Sequence, residues 1–309
     1  MVKKVFITGG AGYIGSVLVP LLLDLKYNVT VYDNVSCGAE GVFHNFLNPH
    51  FNFIKGDILD KEHLHRSMEG HDVVIHLAAI VGYTACRRDE EQSYKVNHKG
   101  TQNVVDGLDG DQLLLYGSTG SNYGTIDGIC TEDTPLNPLS IYAKSKTLGE
   151  EEVMKYENSI AFRFATAFGA SPRLRLDLLV NDLAHSAYTQ KYIAVYESHF
   201  MRTFIHVRDI ARVFQFAMEN ADEMSGDVYN VGSNDMNYSK ADICELIREK
   251  TNCYVHYADF DNDADKRNYV VSYDKINKLG YNTEIGVEQG LEELLRVFPV
   301  IKIENKYRN

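Results

Sequence analysis

Val5-Phe6-Ile7-Thr8-Gly9-Gly10-Ala11-Gly12-Tyr13-Ile14-Gly15 carries an apolar strand straight into a glycine turn. A chain leaving a buried strand must reverse sharply into a helix, and Gly9 supplies the backbone freedom for that turn. Gly12 has no Cβ, so a pyrophosphate can approach the main chain, and Gly15 lets the new helix pack closely against the strand. The helix N-terminus adds free N–H groups and a partial positive charge. The spacing is Gly-x-x-Gly-x-x-Gly, not the Gly-x-Gly-x-x-Gly of ordinary dehydrogenases. Glycine turns also arise for steric reasons alone, so the flanking sequence has to carry the reading.

The flanks agree with a phosphate-binding turn. Residues 16–26 are rich in leucine and valine, as a helix covering one face of a sheet should be. Pro20 inside it removes one backbone hydrogen bond and predicts a bend. The next strand, Asn28-Val29-Thr30-Val31-Tyr32, ends at Asp33. That is about 20 residues after the turn, where a carboxylate grips the adenosine ribose hydroxyls. A carboxylate there repels a 2′-phosphate, and no Arg or Lys lies between Asp33 and Glu40 to attract one. The expected cofactor is therefore NAD, not NADP. The competing reading of Asp33 is a solvated acid at a strand end.

Bulk properties narrow the class. The chain has 309 residues, enough for one large or two modest domains with a sizeable core. Its net charge of −12 argues against nucleic acid, which needs a basic face. An anionic small molecule stays possible, because a few local arginines suffice for it. No apolar run reaches membrane-spanning length, and the N-terminus lacks the apolar core of a signal peptide. Cys37, Cys86, Cys130, Cys244 and Cys253 are odd in number and scattered. They fit reduced thiols in a cytoplasm, with no disulfide framework and no metal site.

Strand and helix signals then alternate. Strands are expected at 51–54, 72–79, 112–116 and 159–164, with helices at 61–69 and 90–108 between them. Near-continuous apolar strands separated by helices mean a parallel sheet covered on both faces. Beyond residue 167 the rhythm changes. A basic loop at 171–175 leads to a helix at 178–188, short strands at 192–196 and 203–209, a helix at 209–219 and a strand at 228–231. Residues 240–251 and 287–297 read as amphipathic helices. The fold expected is α/β, a Rossmann-type doubly wound parallel sheet with a smaller mixed α/β substrate-binding domain. Residues 1–167 would form the NAD-binding domain, with 203–232 returning to it, and residues 168–202 and 233–309 the second domain.

Tyr142-Ala143-Lys144-Ser145-Lys146 places Tyr142 and Lys146 on one helix face. A free tyrosine has a pKa near ~10, too high for a base at neutral pH. An ammonium one turn away, joined by a positive nicotinamide ring, favours the phenolate. Tyr142 can then take a proton from a sugar hydroxyl while the carbon's hydride passes to NAD. The pair follows the fifth strand, where the crevice of a doubly wound sheet lies. That strand leads into Gly117-Ser118-Thr119-Gly120-Ser121-Asn122-Tyr123-Gly124. Thr119, with Ser118 in reserve, is placed to share a hydrogen bond with the reacting substrate oxygen. The rival reading is that these hydroxyls merely cap turn backbone.

Taken together, the Thr8 to Gly15 turn, Asp33, Asp57-Ile58, His76-Leu77-Ala78-Ala79, Asn97, Thr119 and Tyr142/Lys146 resemble the extended short-chain dehydrogenases/reductases. This family holds the NAD-dependent sugar-nucleotide epimerases and dehydratases. The likeness continues through Arg202-Thr203-Phe204-Ile205-His206-Val207-Arg208-Asp209 and Asn230-Val231-Gly232, so it covers nearly the whole chain. It implies that Gly9, Gly12, Tyr13, Ile14, Asp33, Asn34, Asp57, Ile58, Leu77, Ala78, Ala79, Asn97, Tyr142 and Lys146 contact the cofactor. It implies a nucleotide-diphosphate sugar as substrate, with Arg202 and Arg267 clamping the diphosphate and Asn181 as a weaker phosphate contact. Val81, Thr166 and Arg173 complete the expected substrate set. It also implies a homodimer built on a four-helix bundle that includes the helix of Tyr142. Arg208, beside Asp209, reads as a surface salt bridge instead.

Two departures from the family pattern narrow the chemistry. Dehydratases follow the threonine with Asp-Glu, which move protons at C5 and C6, and here those positions are Gly120 and Ser121. A glutamate used in this turn by the family's decarboxylases is absent as well. Oxidation at C4 is left, followed by return of the hydride (4-epimerase) or release of the keto sugar (4-dehydrogenase). The stretches Arg163 to Gly169, Ser171 to Asp182 and Asp265-Lys266-Arg267-Asn268-Tyr269 are similar to the GDP-heptose 4-dehydrogenase subgroup of capsule synthesis. Galactose epimerases carry asparagine where Thr166 stands, although a UDP-hexose stays among the candidate substrates. The resulting expectation is an enzyme of surface-polysaccharide precursor synthesis. The alternatives are a 4-keto sugar-nucleotide reductase and a non-catalytic dinucleotide-binding regulator, and such regulators typically lose the Tyr/Lys pair that this chain keeps.

Overall fold

The computed structural model describes residues 3–258 and 267–302. In chain order its strands are β1 (Lys4–Thr8), β2 (Asn28–Asp33), β3 (Phe51–Lys55), β4 (Val73–His76), β5 (Leu113–Thr119), β6 (Thr125–Cys130) and β7 (Ser159–Phe164). There follow β8 (Thr166–Phe168), β9 (Tyr192–Tyr196), β10 (Met201–His206), β11 (Asp227–Val231), β12 (Asn237–Ser239), β13 (Tyr254–Ala258) and β14 (Asn268–Val271). The helices are α1 (Gly15–Asp24), α2 (Lys61–Met68), α3 (Tyr83–Arg88), α4 (Glu90–Tyr94), α5 (Thr101–Asp106) and α6 (Ile141–Val153). After these come α7 (Leu179–Gln190), α8 (Val207–Glu219), α9 (Ala221–Met224), α10 (Lys240–Thr251), α11 (Asp274–Lys278) and α12 (Val287–Val297).

Seven strands form one sheet in the order β3-β2-β1-β4-β5-β7-β11, every pair parallel. Alternation along each strand explains why both faces are covered. Val5, Ile7, Val29, Val31, Val73, Ile75, Ile160 and Phe162 join one apolar cluster with Leu18 and Leu22 of α1 and Ile210 and Phe214 of α8. Their in-between neighbours Phe6, Tyr32, Val74, Leu114 and Ala161 join another with Leu64 of α2, Val104 of α5 and Val153 of α6. This is the Rossmann-type doubly wound sheet.

A third cluster unites Phe168, Val180, Ala184, Ile193, Phe204, Ile243, Ile247, Leu291 and Leu294. The residues come from α7, α10, α12 and strands β8, β9 and β10. β10 pairs in parallel with β8 and antiparallel with β12, not with the large sheet. Within residues 203–232, α8, lying beside α1, and β11 join the large layers, with Met224 of α9 in the same core. Phe204 and Ile205 on β10 point into different clusters, so this strand stitches the two cores together.

Two local differences from the sequence reading have physical causes. The helix expected at 90–108 is α4 and α5 joined by a π-helical turn, Lys95–Gly100. A Cβ on Gly100 would sit 2.4 Å from the Ile58 side chain, so the wide turn is packed tightly against that residue. The strand expected at 203–209 ends at His206, whose imidazole accepts the Arg208 N–H and caps α8. α1 keeps its full length through Pro20, its sixth residue, where the ring removes the N–H that would have bonded the Ser16 carbonyl.

Candidate active site

The strand order reverses between β1 and β4, and a crevice opens there at the carboxyl ends of the strands. Gly9 takes a φ of +69°, and a Cβ on it would lie 2.6 Å from the Ala78 nitrogen. Both facts demand glycine, because the chain leaving β4 abuts the turn leaving β1. At Gly12 a Cβ would meet only the Gly9 carbonyl, at 3.2 Å, leaving its open side for a ligand. A Cβ on Gly15 would strike the Gly10 carbonyl at 2.3 Å, so this third glycine packs the helix against the turn itself, not against the strand.

A cleft of about 880 Å3 runs from this turn across the carboxyl edge of the sheet. Gly9, Gly12, Tyr13, Ile14, Asp33, Asn34, Asp57, Ile58, Leu77, Ala78 and Ala79 line one part of it. Ser118, Thr119, Tyr142 and Lys146 line its centre, and Val81, Thr166, Arg173, Arg202 and Arg267 also face it. Asp265 and Lys266 lie outside the described residues. The Asp33 carboxylate accepts the Ala11 N–H at 3.1 Å and the Val35 N–H at 2.8 Å. Burial raises its pKa, and those two donors oppose the rise. The acid is thus held at the end of β2 by the glycine turn, not loosely solvated.

Two expected contacts do not reach the cleft. Asn181 is fully buried on α7. Its oxygen accepts the Gly169 N–H at 3.0 Å and its amide donates to the Arg175 carbonyl at 2.8 Å, so it braces the 169–175 loop instead of touching phosphate. Asn97, on the π turn, binds both the N–H and the carbonyl of Ile80, at 2.7 and 2.8 Å, and donates to Ser145 on α6 at 3.0 Å. It ties the loop after β4 to the helix of Tyr142.

The centre of the cleft is set by β5 and α6. β5 runs three residues further than expected and ends at Thr119. The Thr119 hydroxyl accepts the Ser121 N–H at 3.2 Å, donates to the Ser121 hydroxyl at 3.0 Å, and lowers the pKa of the Tyr142 phenol. It therefore both caps a turn and faces Tyr142. Ser118 is different: its hydroxyl donates to Glu150 at 2.5 Å, which turns it away from the reserve role. α6 starts at Ser140, whose side chain accepts the Ala143 N–H at 3.1 Å. Lys146 is buried, with its ammonium nitrogen 3.9 Å from the centre of the Tyr116 ring.

Electrostatically the pair is poised differently from the sequence expectation. Burial raises the Tyr142 phenol, opposed by Thr119, Arg175 and Arg267. Burial also pulls Lys146 down to about 7, with Glu150 and Cys86 pushing it back up. The protein by itself thus favours a phenol beside a lysine that readily sheds its proton. The phenolate then depends on further positive charge in the cleft.

The cationic side of the cleft holds Arg173, Arg175, Arg202 and Arg267 of the substrate region, together with Lys240. Arg202 donates to its neighbour Met201's carbonyl at 3.0 Å and to the Arg267 carbonyl, and Arg267 donates to the Ser121 hydroxyl. Arg173 bonds the Cys37 carbonyl at 3.1 Å. Arg175 grips Asp177 through two bonds of 3.1 and 2.5 Å, and Lys240 on α10 also lines the cleft. Arg208 lies apart, bonded to Glu293 instead of its neighbour Asp209. Asp209 is buried and takes Arg212 at 2.7 Å.

Comparison with known proteins follows the same lines. The family model for the NAD dependent epimerase/dehydratase family matches residues 5–232. The low-salt glycan biosynthesis protein Agl12 of Haloferax volcanii is 30% identical over 302 residues, covering 93% of this chain and 96% of that protein. A putative UDP-glucose 4-epimerase of Methanocaldococcus jannaschii is 26% identical over 305 residues, covering 94% and 97%. Among solved structures, UDP-glucuronic acid 4-epimerase from Bacillus cereus, in complex with UDP-glucuronic acid and NAD, superimposes with a TM-score of 0.85 at 26% identity. That match covers 96% of this chain and 99% of that one. With its glycine turn, doubly wound sheet and Tyr142/Lys146 helix, the chain belongs to the NAD-dependent epimerase/dehydratase family, enzymes of the extended short-chain dehydrogenase/reductase type whose cofactor is NAD.

Proposed function

We propose that this enzyme oxidises C4 of a nucleotide-diphosphate sugar, as a 4-epimerase or a 4-dehydrogenase. The substrate is GDP-heptose-like or a UDP-hexose, and the setting is cytoplasmic synthesis of surface-polysaccharide precursors by a homodimer. The observation that carries this reading is that Tyr142, Thr119 and the buried Lys146, one helical turn from Tyr142, line the same cleft, with Thr119 lowering the Tyr142 phenol.

Bound NAD supplies the hydride acceptor and a positive charge. Tyr142 takes the proton of the sugar's 4-hydroxyl, and Thr119 holds the oxygen that loses it. Lys146 binds the cofactor's ribose and offsets the phenolate. Asp33 takes the adenosine ribose at the other end of the cleft. A diphosphate wants planar, bidentate donors, which Arg202 and Arg267 offer, with Arg173 nearby along the cleft. The name of the Haloferax volcanii relative, a glycan biosynthesis protein, supports the setting.

The same geometry argues against dehydration. Gly120 has no side chain, and the Ser121 oxygen already receives Thr119 and Arg267. Of the loop carboxylates Glu132 and Asp133, neither lines the cleft, and Glu132 accepts the Asn230 N–H at 2.8 Å. The test of the proposal is Tyr142→Phe, which keeps the ring and removes the proton-transfer group. Turnover of a nucleotide sugar should fall by roughly 10²–10⁴-fold with the circular dichroism spectrum unchanged. Near-normal turnover would remove Tyr142 from the mechanism.

A further inference from the structure

Glu150 does not line the cleft, yet it is a firmly anchored charge behind it. Tyr142, Lys146 and Glu150 follow one another at intervals of four on α6, so they share a face. Glu150 is 4% exposed. It accepts from Arg163 through Nη2 at 2.7 Å and through Nε at 3.1 and 3.2 Å. It also accepts the Ser118 hydroxyl at 2.5 Å and, more weakly, the Asn122 amide at 3.4 Å. Arg163 in turn donates to the Tyr123 hydroxyl and to the Glu132 carbonyl, both at 3.0 Å. The carboxylate is thus locked in place by β5, β7 and the loop after β6.

We propose that Glu150, held by Arg163, is a positioning residue for hydride transfer, fixing the Ser118–Thr119 end of β5 against α6 and serving as counter-charge to Lys146. The inference rests on the roles proposed above for Tyr142, Thr119 and Lys146. Two routes link Glu150 to the reacting groups. The first is covalent: Ser118 precedes Thr119, so pinning its hydroxyl fixes the peptide from which Thr119 reaches Tyr142. The second acts through space. Lys146 faces Tyr142 and Glu150 from its own helix, Cys86 from α3, the Tyr116 ring from β5 and His76 from β4. His76 is neutral there, because burial lowers it to about 3. Of these groups Glu150 opposes the desolvation of Lys146 most strongly. Removing its charge lets Lys146 lose its proton at lower pH, and the ammonium is needed to bind ribose and favour the phenolate.

The experiment uses NAD-loaded enzyme and measures kcat and KM separately across a pH series. Glu150→Gln alone would strand Arg163 as a buried unpaired charge, so the main variant is the double replacement Glu150→Gln with Arg163→Met. Ser118→Ala and Glu150→Asp are the companions, and Tyr142→Phe is the control. In the double variant kcat should fall about tenfold or more, with KM little changed, and the alkaline limit of activity should move to lower pH. Ser118→Ala should lower kcat without moving the pH limit, and Glu150→Asp should restore that limit. A merely structural pair would lower the melting temperature and leave the pH profile in place, which overturns the proposal. Should the double variant fail to fold, a wild-type kcat in Ser118→Ala overturns it too. An inactive Tyr142→Phe beside wild-type behaviour of the others sinks this inference alone, whereas an active Tyr142→Phe sinks the reading of the site with it.

Discussion

Asp33 shows how much one side chain can settle. Its carboxylate closes β2 and is aimed by the Ala11 N–H of the glycine turn and the Val35 N–H just after the strand, so its place relative to the pyrophosphate cradle is fixed. Asp33→Ala should weaken NAD binding and relax the bias against NADP, read by titrating each dinucleotide; a wild type that prefers NADP would contradict the ribose argument. Lys146 gives a second residue-level expectation. Its folded pKa of about 7 lies below the unfolded value of ~10.4, so between those values the unfolded chain holds more protons. The stability of the wild type relative to Lys146→Met should therefore rise with pH across that window, by up to about 1.4 kcal/mol per unit. Denaturant melts of the two proteins over that range check it, and a flat or falling difference would contradict it. What the residues revealed in advance was chemistry with a signature: a glycine without room for a Cβ, an acid at a strand end, a tyrosine four before a lysine. Asn181 and Ser118 misled because a side chain's orientation is not in the sequence. Lys240 went unassigned because only the packing of the second core brings it to the cleft.

At the scale of elements, α6 carries the site. Its N-cap Ser140 sets where the helix begins, which fixes Tyr142 in the first turn and Lys146 in the second. Gly149 lets it approach its neighbours: a Cβ there would lie 2.4 Å from the Tyr116 hydroxyl and 2.8 Å from the Asn97 carbonyl. Gly149→Ala gains helix propensity of about 1 kcal/mol but overpacks a close interface, which costs about 1–3 kcal/mol. The net expectation is a lower melting temperature together with reduced turnover, and a variant melting above the wild type would show that the interface yields. The large sheet was legible because its strands are apolar and separated by helices. The small strands were not. β6 has Asp127 and Gly128 at its centre and is mostly exposed, and β8 is three residues long, so neither has the composition or length that marks a strand. The π turn between α4 and α5 is hidden for another reason, since one widened turn barely alters a helical period.

Over the whole molecule, a chain of net charge −12 gathers Arg88, Arg173, Arg175, Arg202, Lys240 and Arg267 along one cleft. The acidic remainder discourages polyanions, while the local cations suit a single diphosphate. Among the described residues no helix is long and apolar enough to cross a membrane, and no group of three or more His, Cys, Asp or Glu is arranged to hold a metal ion. The architecture thus places a dinucleotide turn, a tyrosine with its hydroxyl partner and a cationic flank along one crevice. The proposed chemistry is oxidation at C4 of a nucleotide sugar, with no further change to the ring. Mass spectrometry of the products from UDP-, GDP-, CDP- and dTDP-sugars tests it most directly. A converted sugar of unchanged mass, or one lighter by two hydrogens, is the predicted result; loss of one water from the sugar would contradict it.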